Sequence, residues 1–178
     1  MRVTDPVVIV GGDAAGLSAA SKLSREDPDR EVIVFERGRW VSYAHCGEPY
    51  FVKGEVEELT DLPSLSPDEI SERGIDLRRE HEAVGVDTDA RAVRVDGPDG
   101  SVDQPYDDLV VATGARARSD PIEGSNLDGA FTIHGLDSAA AVRALLTPPE
   151  EFAVDDLGGD GYLDREPVAR YGAMELPE

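Results

Sequence analysis

The residues best equipped for chemistry in this chain are one cysteine and one cluster of glycines. Cys46, the only cysteine among 178 residues, lies in the stretch Trp40 to Gly54, WVSYAHCGEPYFVKG. A lone thiol cannot close an internal disulfide, so a reacting Cys46 must cycle against a small thiol, an oxidant or a bound cofactor. Pro49 suits the first turn of a helix, which would put Cys46 at a helix N-terminus beside His45, two neighbours expected to favour thiolate. Taken alone, such a cysteine is more often a small buried apolar residue. Its polar and aromatic flanks, and the motif upstream of it, weigh toward chemistry.

That motif is Gly11-Gly12-Asp13-Ala14-Ala15-Gly16. It follows Val7-Val8-Ile9-Val10, an uninterrupted β-branched run of the kind found in a strand buried on both faces of a parallel sheet. LSAASKLSRED then carries apolar and small residues at helical spacing up to Pro28, and Val32-Ile33-Val34-Phe35 ends at Glu36, twenty residues past Gly16. Strand, glycine turn, helix, strand and acidic residue in this order are the layout of a dinucleotide site. Glycine lets the chain turn sharply, the helix N-terminus offers amides and a positive dipole to a pyrophosphate, and the carboxylate accepts from an adenosine ribose. A carboxylate at Glu36 disfavours a 2′-phosphate. Asp13 replaces the middle glycine of the GxGxxG pattern; pointing it at a pyrophosphate would cost electrostatic energy, so its carboxylate is expected to face away or to reach a backbone amide. The bland alternative is a plain strand-to-helix turn with Glu36 as a solvated strand end. It leaves the agreement of four elements in order and spacing without a cause.

Composition bounds the partners. The formal net charge is −21 and the sequence pI about 4.3, which argues against nucleic acid and anionic membrane surfaces. Acidity is spread along the chain, and of seventeen basic residues two are lysine, Lys22 and Lys53. This balance looks like adaptation to high intracellular salt, where screening removes self-repulsion. No apolar run approaches the roughly 20 residues needed to span a bilayer, and the first apolar run flows into the glycine turn without a basic leader. The chain is read as cytoplasmic, in a reducing compartment. Metal-ligand spacing of Cys and His is absent; His81 and His134 read as surface or packing residues.

From Leu77 to Gly114 the pattern changes to short strands near Ala83 to Val86, Ala92 to Val95 and Ser101 to Tyr106, with tight turns at Asp87 to Asp89 and Gly97 to Gly100. A small antiparallel meander thus interrupts the sheet, before another buried strand, Leu109-Val110-Val111, ends in Ala112-Thr113-Gly114. A nicotinamide domain commonly continues with βα units, so the insertion favours flavin.

Together GGDAAG, the strand ending at Glu36, the meander and YDDLVVATGA resemble the FAD domain of flavoprotein pyridine-nucleotide-disulfide oxidoreductases. SYAHCGEPY resembles the single-cysteine branch that contains coenzyme A-disulfide reductases and NADH oxidases; the CxxxxC pair of two-cysteine members is absent. The resemblance runs from about Val7 to Leu146. It implies an α/β, three-layer Rossmann-like fold: a mainly parallel sheet with helices on one face and the meander on the other. It implies that Gly11, Gly12, Asp13, Ala14, Ala15 and Gly16 surround the FAD pyrophosphate, that Glu36 and Arg37 serve the adenosine, that Ala83 meets the adenine through its backbone, and that Thr113 and Gly114 close over the flavin. In the family mechanism a reduced nicotinamide feeds FAD, FAD feeds Cys46, and the thiolate attacks a disulfide such as oxidised coenzyme A. In an NADH oxidase Cys46 would instead cycle through sulfenic acid while oxygen is reduced. Coenzyme A-contacting positions then fall at Ser18, Lys22, Arg25, Ser42 and His45. Lys22 and Arg25, at i and i+3, form a basic spot that could meet phosphates; the alternative is that they pair with Glu26 or Asp29 on a solvated surface.

Leu136 to Leu146, LDSAAAVRALL, reads as a helix with Asp137 or Ser138 as cap and Pro148-Pro149 as stop. The expected organisation is a FAD-binding domain with the redox cysteine over residues 1–147 and an acidic connector over 148–178. No second glycine fingerprint follows. NAD(P)H is therefore expected as reductant only where a second domain, or a partner chain carrying it, supplies the site. Three readings follow: the FAD and cysteine domain of a coenzyme A-disulfide reductase or NADH oxidase; a non-catalytic flavin-binding remnant or accessory module; and a plain nucleotide-binding module, which the meander and the ATG segment disfavour.

Overall fold

The computed structural model describes residues 5–118, 122–127 and 130–146; the connector expected over 148–178 and the Pro148-Pro149 stop lie outside the described residues. In chain order the elements are β1 (Val7–Val10), α1 (Ala14–Glu26), β2 (Val32–Glu36), α2 (Glu48–Lys53), α3 (Pro67–Glu72), β3 (Ile75–Arg79), β4 (Glu82–Asp87), β5 (Ala92–Gly97), β6 (Gly100–Pro105), β7 (Asp108–Val111) and α4 (Leu136–Leu146). They sort into two units. One holds the described residues up to Tyr43 together with Pro63–Gly114; the other holds Ala44–Leu62 and the described residues from Ala115 onward.

The first unit is the three-layer α/β fold. Its main sheet is parallel, in the order β3-β2-β1-β7, with Val7 opposite Val32 and Asp108, and Val10 opposite Phe35 and Val111. Alternation along each strand divides the apolar side chains between two cores. Val7, Ile9, Val32, Val34 and Ile75 pack with Leu17 and Ala20 of α1 and Ile70 of α3. Val8, Val10, Ile33 and Phe35 pack instead with Val93, Val95 and Tyr106 of the antiparallel meander β4-β5-β6. Because both faces are covered, β1 can be apolar at every position, and all four of its residues are buried. Short helix α3 is fixed at its start by a capping box: the Ser66 side chain accepts from the Glu69 amide while Glu69 accepts from the Ser66 amide.

Strand β3 is an addition to the sequence reading, which begins the strand-rich region at Leu77 and assigns it to the meander. Ile75–Arg79 pairs with β2 as the edge of the main sheet. Its charged residues belong to an edge strand: Arg78 bonds Asp76 with Nε and Nη2 and lies over the Phe35 ring.

In the second unit a 3₁₀ turn, His45–Gly47, leads into α2, and α2 packs on α4. Gly54, at φ +87°, ends α2 in the left-handed conformation that glycine adopts without strain. Arg143 of α4 stacks 4.4 Å from the Phe51 ring centroid and donates through Nη1 to the carbonyls of Val56 (2.8 Å) and Glu57 (2.9 Å). Helix α4 has the bounds expected from sequence. Ser138 reaches back over its first turn, accepting from the His134 amide and donating to the Gly135 carbonyl. Among the described residues no helix is long and apolar enough to cross a membrane.

Candidate functional site

The turn after β1 is built so tightly that two of its positions admit no side chain. At Gly11, φ is +115° and a Cβ would fall 2.2 Å from the Ala112 carbonyl oxygen; at Gly16 it would fall 1.8 Å from the Gly11 carbonyl oxygen. Gly12 is more forgiving, its nearest neighbours being Glu36 Cβ at 2.9 Å and Val41 Cγ1 at 3.0 Å. Helix α1 can therefore start directly against the end of the sheet. The first intrahelical bond is Leu17 N–H to the Asp13 carbonyl, 2.9 Å, and the amides one turn ahead have no acceptor within the helix. No acidic residue occupies that first turn, and Ala14 and Ala15 are exposed. These amides and the helix dipole suit an anion.

Asp13 occupies the N-cap position without capping the helix. Its Oδ1 accepts from the Tyr43 amide at 3.1 Å, the backbone-amide partner that the sequence reading anticipates for this residue. Turned that way, the carboxylate ties the segment after β2 to the glycine turn, a link doubled by Ser42 N–H donating to the Gly12 carbonyl. Ser42 holds φ +56° and Tyr43 forms an isolated bridge with Pro63.

Glu36, half-buried at the end of β2, uses both carboxylate oxygens. Oε2 accepts from the Gly12 amide and Oε1 from the Gly38 amide, each at 2.8 Å. Each oxygen keeps a second lone pair, so the carboxylate is fixed in place and still able to accept from hydroxyls. Arg37 beside it is exposed. Ala83 sits half-buried on β4, one of the two edge strands of the meander, immediately before a register shift between Ala83 and Gly85. Thr113 and Gly114 follow β7 and are exposed, with Gly114 at φ +65°. On α1, Ser18, Lys22 and Arg25 are spaced i, i+4 and i+7 and all exposed, which makes one solvent-facing stripe. Lys22 pairs with Glu26 at 3.3 Å, the surface pairing weighed from sequence.

In the second unit Cys46 is exposed, at the centre of the 3₁₀ turn that precedes α2. His45 beside it is held on two sides. Its Nδ1 lies 2.8 Å from Glu48 Oε1, and its ring stacks on His134 with centroids 5.0 Å apart and planes 12° from parallel. Glu48 is 2% exposed and also accepts from the Gly135 amide at 3.0 Å. His134 in turn lies with Nε2 2.8 Å from the Ala115 carbonyl oxygen. Neither Glu48 nor His134 stands out in the sequence as part of this group. Glu48 has the look of an ordinary acidic residue in a helix's first turn, and the Gly135 amide that it accepts from is 87 positions away.

A parallel sheet, a turn that admits no Cβ at Gly11 or Gly16, a bare helix N-terminus and an anchored carboxylate at the end of β2 define a dinucleotide-binding fold of the flavoprotein kind. The chain belongs to the pyridine nucleotide-disulphide oxidoreductase family, whose profile it matches over residues 5–164. That family is FAD-dependent and draws on NAD(P)H. The chain is 42% identical over 177 residues to a CoA-dependent NAD(P)H sulfur oxidoreductase of Pyrococcus abyssi, a match covering 98% of the chain and 38% of the relative. It is 31% identical over 173 residues to a coenzyme A disulfide reductase of Staphylococcus haemolyticus, covering 96% and 38%. Among solved structures it resembles an NAD-dependent persulfide reductase from A. fulgidus, with a TM-score of 0.72, 37% identity, and coverage of 75% of this chain and 25% of that one. The chain thus spans less than two-fifths of the length of these relatives.

The residues present fit the adenosine diphosphate part of FAD. The space a Cβ would need at Gly11 and Gly16 is taken by backbone, so the turn is closed on the protein side. The first-turn amides of α1 suit the pyrophosphate, and Glu36 is braced to accept from ribose hydroxyls.

Proposed function

We propose that this chain is the FAD- and cysteine-bearing part of an NAD(P)H-dependent flavoprotein that reduces a small disulfide or persulfide, with coenzyme A as the thiol partner. The observation that carries the reading is the exposure of the single cysteine, in the turn of SYAHCGEPY, in a chain whose other unit holds a braced dinucleotide cradle. When bound, FAD supplies two-electron transfer between a reduced nicotinamide and a thiol-disulfide couple. Gly11, Gly12, Asp13, Ala14, Ala15 and Gly16 line the pyrophosphate side, Glu36 and Arg37 the ribose, Ala83 the adenine, and Thr113 and Gly114 the flavin. Ser18, Lys22, Arg25, Ser42 and His45 receive coenzyme A, and Cys46 attacks its disulfide.

Residues 1–147 form the FAD-binding domain, and 148–178 an acidic connector. The protein works in a salt-rich cytoplasm, as the charge balance suggests. The 42% identity to a relative named for CoA-dependent sulfur chemistry supports a sulfur acceptor.

The test loads the chain and its Cys46→Ser variant with FAD, reduces the flavin chemically, and offers coenzyme A disulfide. Release of coenzyme A by the parent chain, and its loss in the variant with flavin binding retained, is the expected result. Equal release by both would remove Cys46 from the mechanism. Consumption of oxygen without thiol release would reassign the acceptor.

A further inference from the structure

The group formed by Glu48, His45 and His134 is more than the fold requires. A carboxylate that is 2% exposed carries a desolvation penalty unless it is hydrogen-bonded. One amide, that of Gly135, would serve to tether the loop before α4. Glu48 Oε1 takes the His45 Nδ1 as well, at 2.8 Å, and the His45 ring plane is set a second time by its stack on His134. The His134 ring is itself fixed by the Ala115 carbonyl, and its amide by Ser138 Oγ. The result is an imidazole whose tautomer and orientation are both specified, in the residue next to Cys46 in one turn. The His45 side chain remains 45% exposed.

We propose that His45 carries the proton of the Cys46 half-reaction and that Glu48 is its positioning residue. The carboxylate holds the proton on Nδ1, which assigns proton exchange to Nε2. The Cys46 thiol gives its proton to His45 Nε2; the thiolate attacks one sulfur of the substrate disulfide; that S–S bond breaks as the Cys46–sulfur bond forms. The departing thiolate then takes the proton back from Nε2. The sum is Cys46–SH plus RSSR giving Cys46–S–SR plus RSH, with atoms, charge and electrons balanced and no outside reductant in this half. Glu48 acts by orienting His45 and by facing the imidazolium while the proton is in transit, as a buried carboxylate does for other catalytic imidazoles. This inference rests on the proposed function in one respect, that Cys46 is the reacting thiol.

The test compares leaving groups, because a basic thiolate needs a proton to leave and an acidic one does not. The full chain is reduced with dithiothreitol, desalted and mixed in single turnover with 2-hydroxyethyl disulfide, an aliphatic disulfide that carries no coenzyme A moiety for His45 to contact, and separately with 5,5′-dithiobis(2-nitrobenzoate), whose aromatic thiolate is a weak base. The readout is the ratio of the two rate constants, aliphatic over aromatic. His45→Asn should lower the ratio by about a hundredfold, the low end of general acid–base contributions, and Glu48→Gln by about tenfold. A ratio within twofold of the parent in folded variants, however much both rates fall, would reduce the group to a structural tether and overturn the proposal. His45→Asn, changed at a half-exposed side chain, keeps the test available if Glu48→Gln does not fold. A parent chain whose Cys46 ignores both disulfides would instead overturn the reading of Cys46 as the reacting thiol.

Discussion

Glu36→Gln is the substitution on which the account of the dinucleotide cradle is most exposed. Two backbone amides face the two carboxylate oxygens of Glu36, Gly12 N–H on one and Gly38 N–H on the other, both at 2.8 Å. Glutamine has one acceptor oxygen and one NH₂ group. Whichever way it turns, one amide N–H faces another donor. A hydrogen bond to a charged group contributes about 1.5–3 kcal/mol, so the variant should lose about 2 kcal/mol. For a chain of this size that corresponds to a fall in melting temperature of about 4–8 °C. The same change removes the ionic acceptor proposed for the ribose, and a further loss of about 2 kcal/mol there would weaken FAD binding roughly thirtyfold. Thermal melts of the apo chain followed by circular dichroism, and flavin titration by fluorescence quenching, read the two effects separately. Glu72→Gln, at an exposed helical position, is the control and should shift stability by no more than about 0.5 kcal/mol. A Glu36→Gln chain that melts with the parent and binds flavin equally well would refute both roles; a lower melting temperature with unchanged flavin affinity would remove the ribose role alone.

Gly16→Ala and Gly12→Ala should separate sharply. The first puts a methyl group 1.8 Å from a backbone oxygen and the second about 3 Å from two side-chain carbons. Gly16→Ala should abolish flavin retention and destabilise by about 3 kcal/mol or more, while Gly12→Ala costs about 1 kcal/mol; equal effects in urea titrations would contradict the packing described. Arg143→Ala removes the stack on Phe51 and two bonds to the carbonyls of Val56 and Glu57. It should cost about 2 kcal/mol and accelerate limited proteolysis between residues 54 and 62; an unchanged cleavage rate would argue against that fastening. The Glu69 carboxyl is held below its usual 4.5, first by its hydrogen bond with the Ser66 amide and then by the Ser66 hydroxyl. A lowered folded value means that its contribution is fully present above the unfolded value and lost as pH falls through the folded one. The melting-temperature gap between parent and Glu69→Gln should be constant above about pH 5.5 and shrink on acidification; a gap that widens in acid would contradict the capping box.

The parts of this fold that show in the sequence are those whose pattern is local. Val7–Val10 and Val32–Phe35 are continuous apolar runs because both faces of their sheet are covered, and Gly11 and Gly16 stand where a Cβ meets backbone. Asp13 could be assigned a backbone amide on electrostatic grounds alone, though nothing in the sequence singles out Tyr43 as the donor. Strand β3 escaped because an edge strand tolerates Asp76, Arg78 and Arg79 among its apolar residues, and five residues are too few for a period to emerge. Helix α3, six residues long, is likewise shorter than two helical turns, whereas α2 of the same length shows through Pro49 in its first turn. Glu48 was invisible for a different reason. Its partner Gly135 lies 87 residues away, and an acidic residue in a first turn ordinarily faces water.

The most direct test of the central claim is the visible spectrum of the purified chain, incubated with FAD in high salt and then desalted. The flavin spectrum should stay with the protein, near one equivalent per chain, and be lost in Gly16→Ala. A folded chain that emerges colourless would contradict the assignment of the glycine turn and Glu36 to FAD.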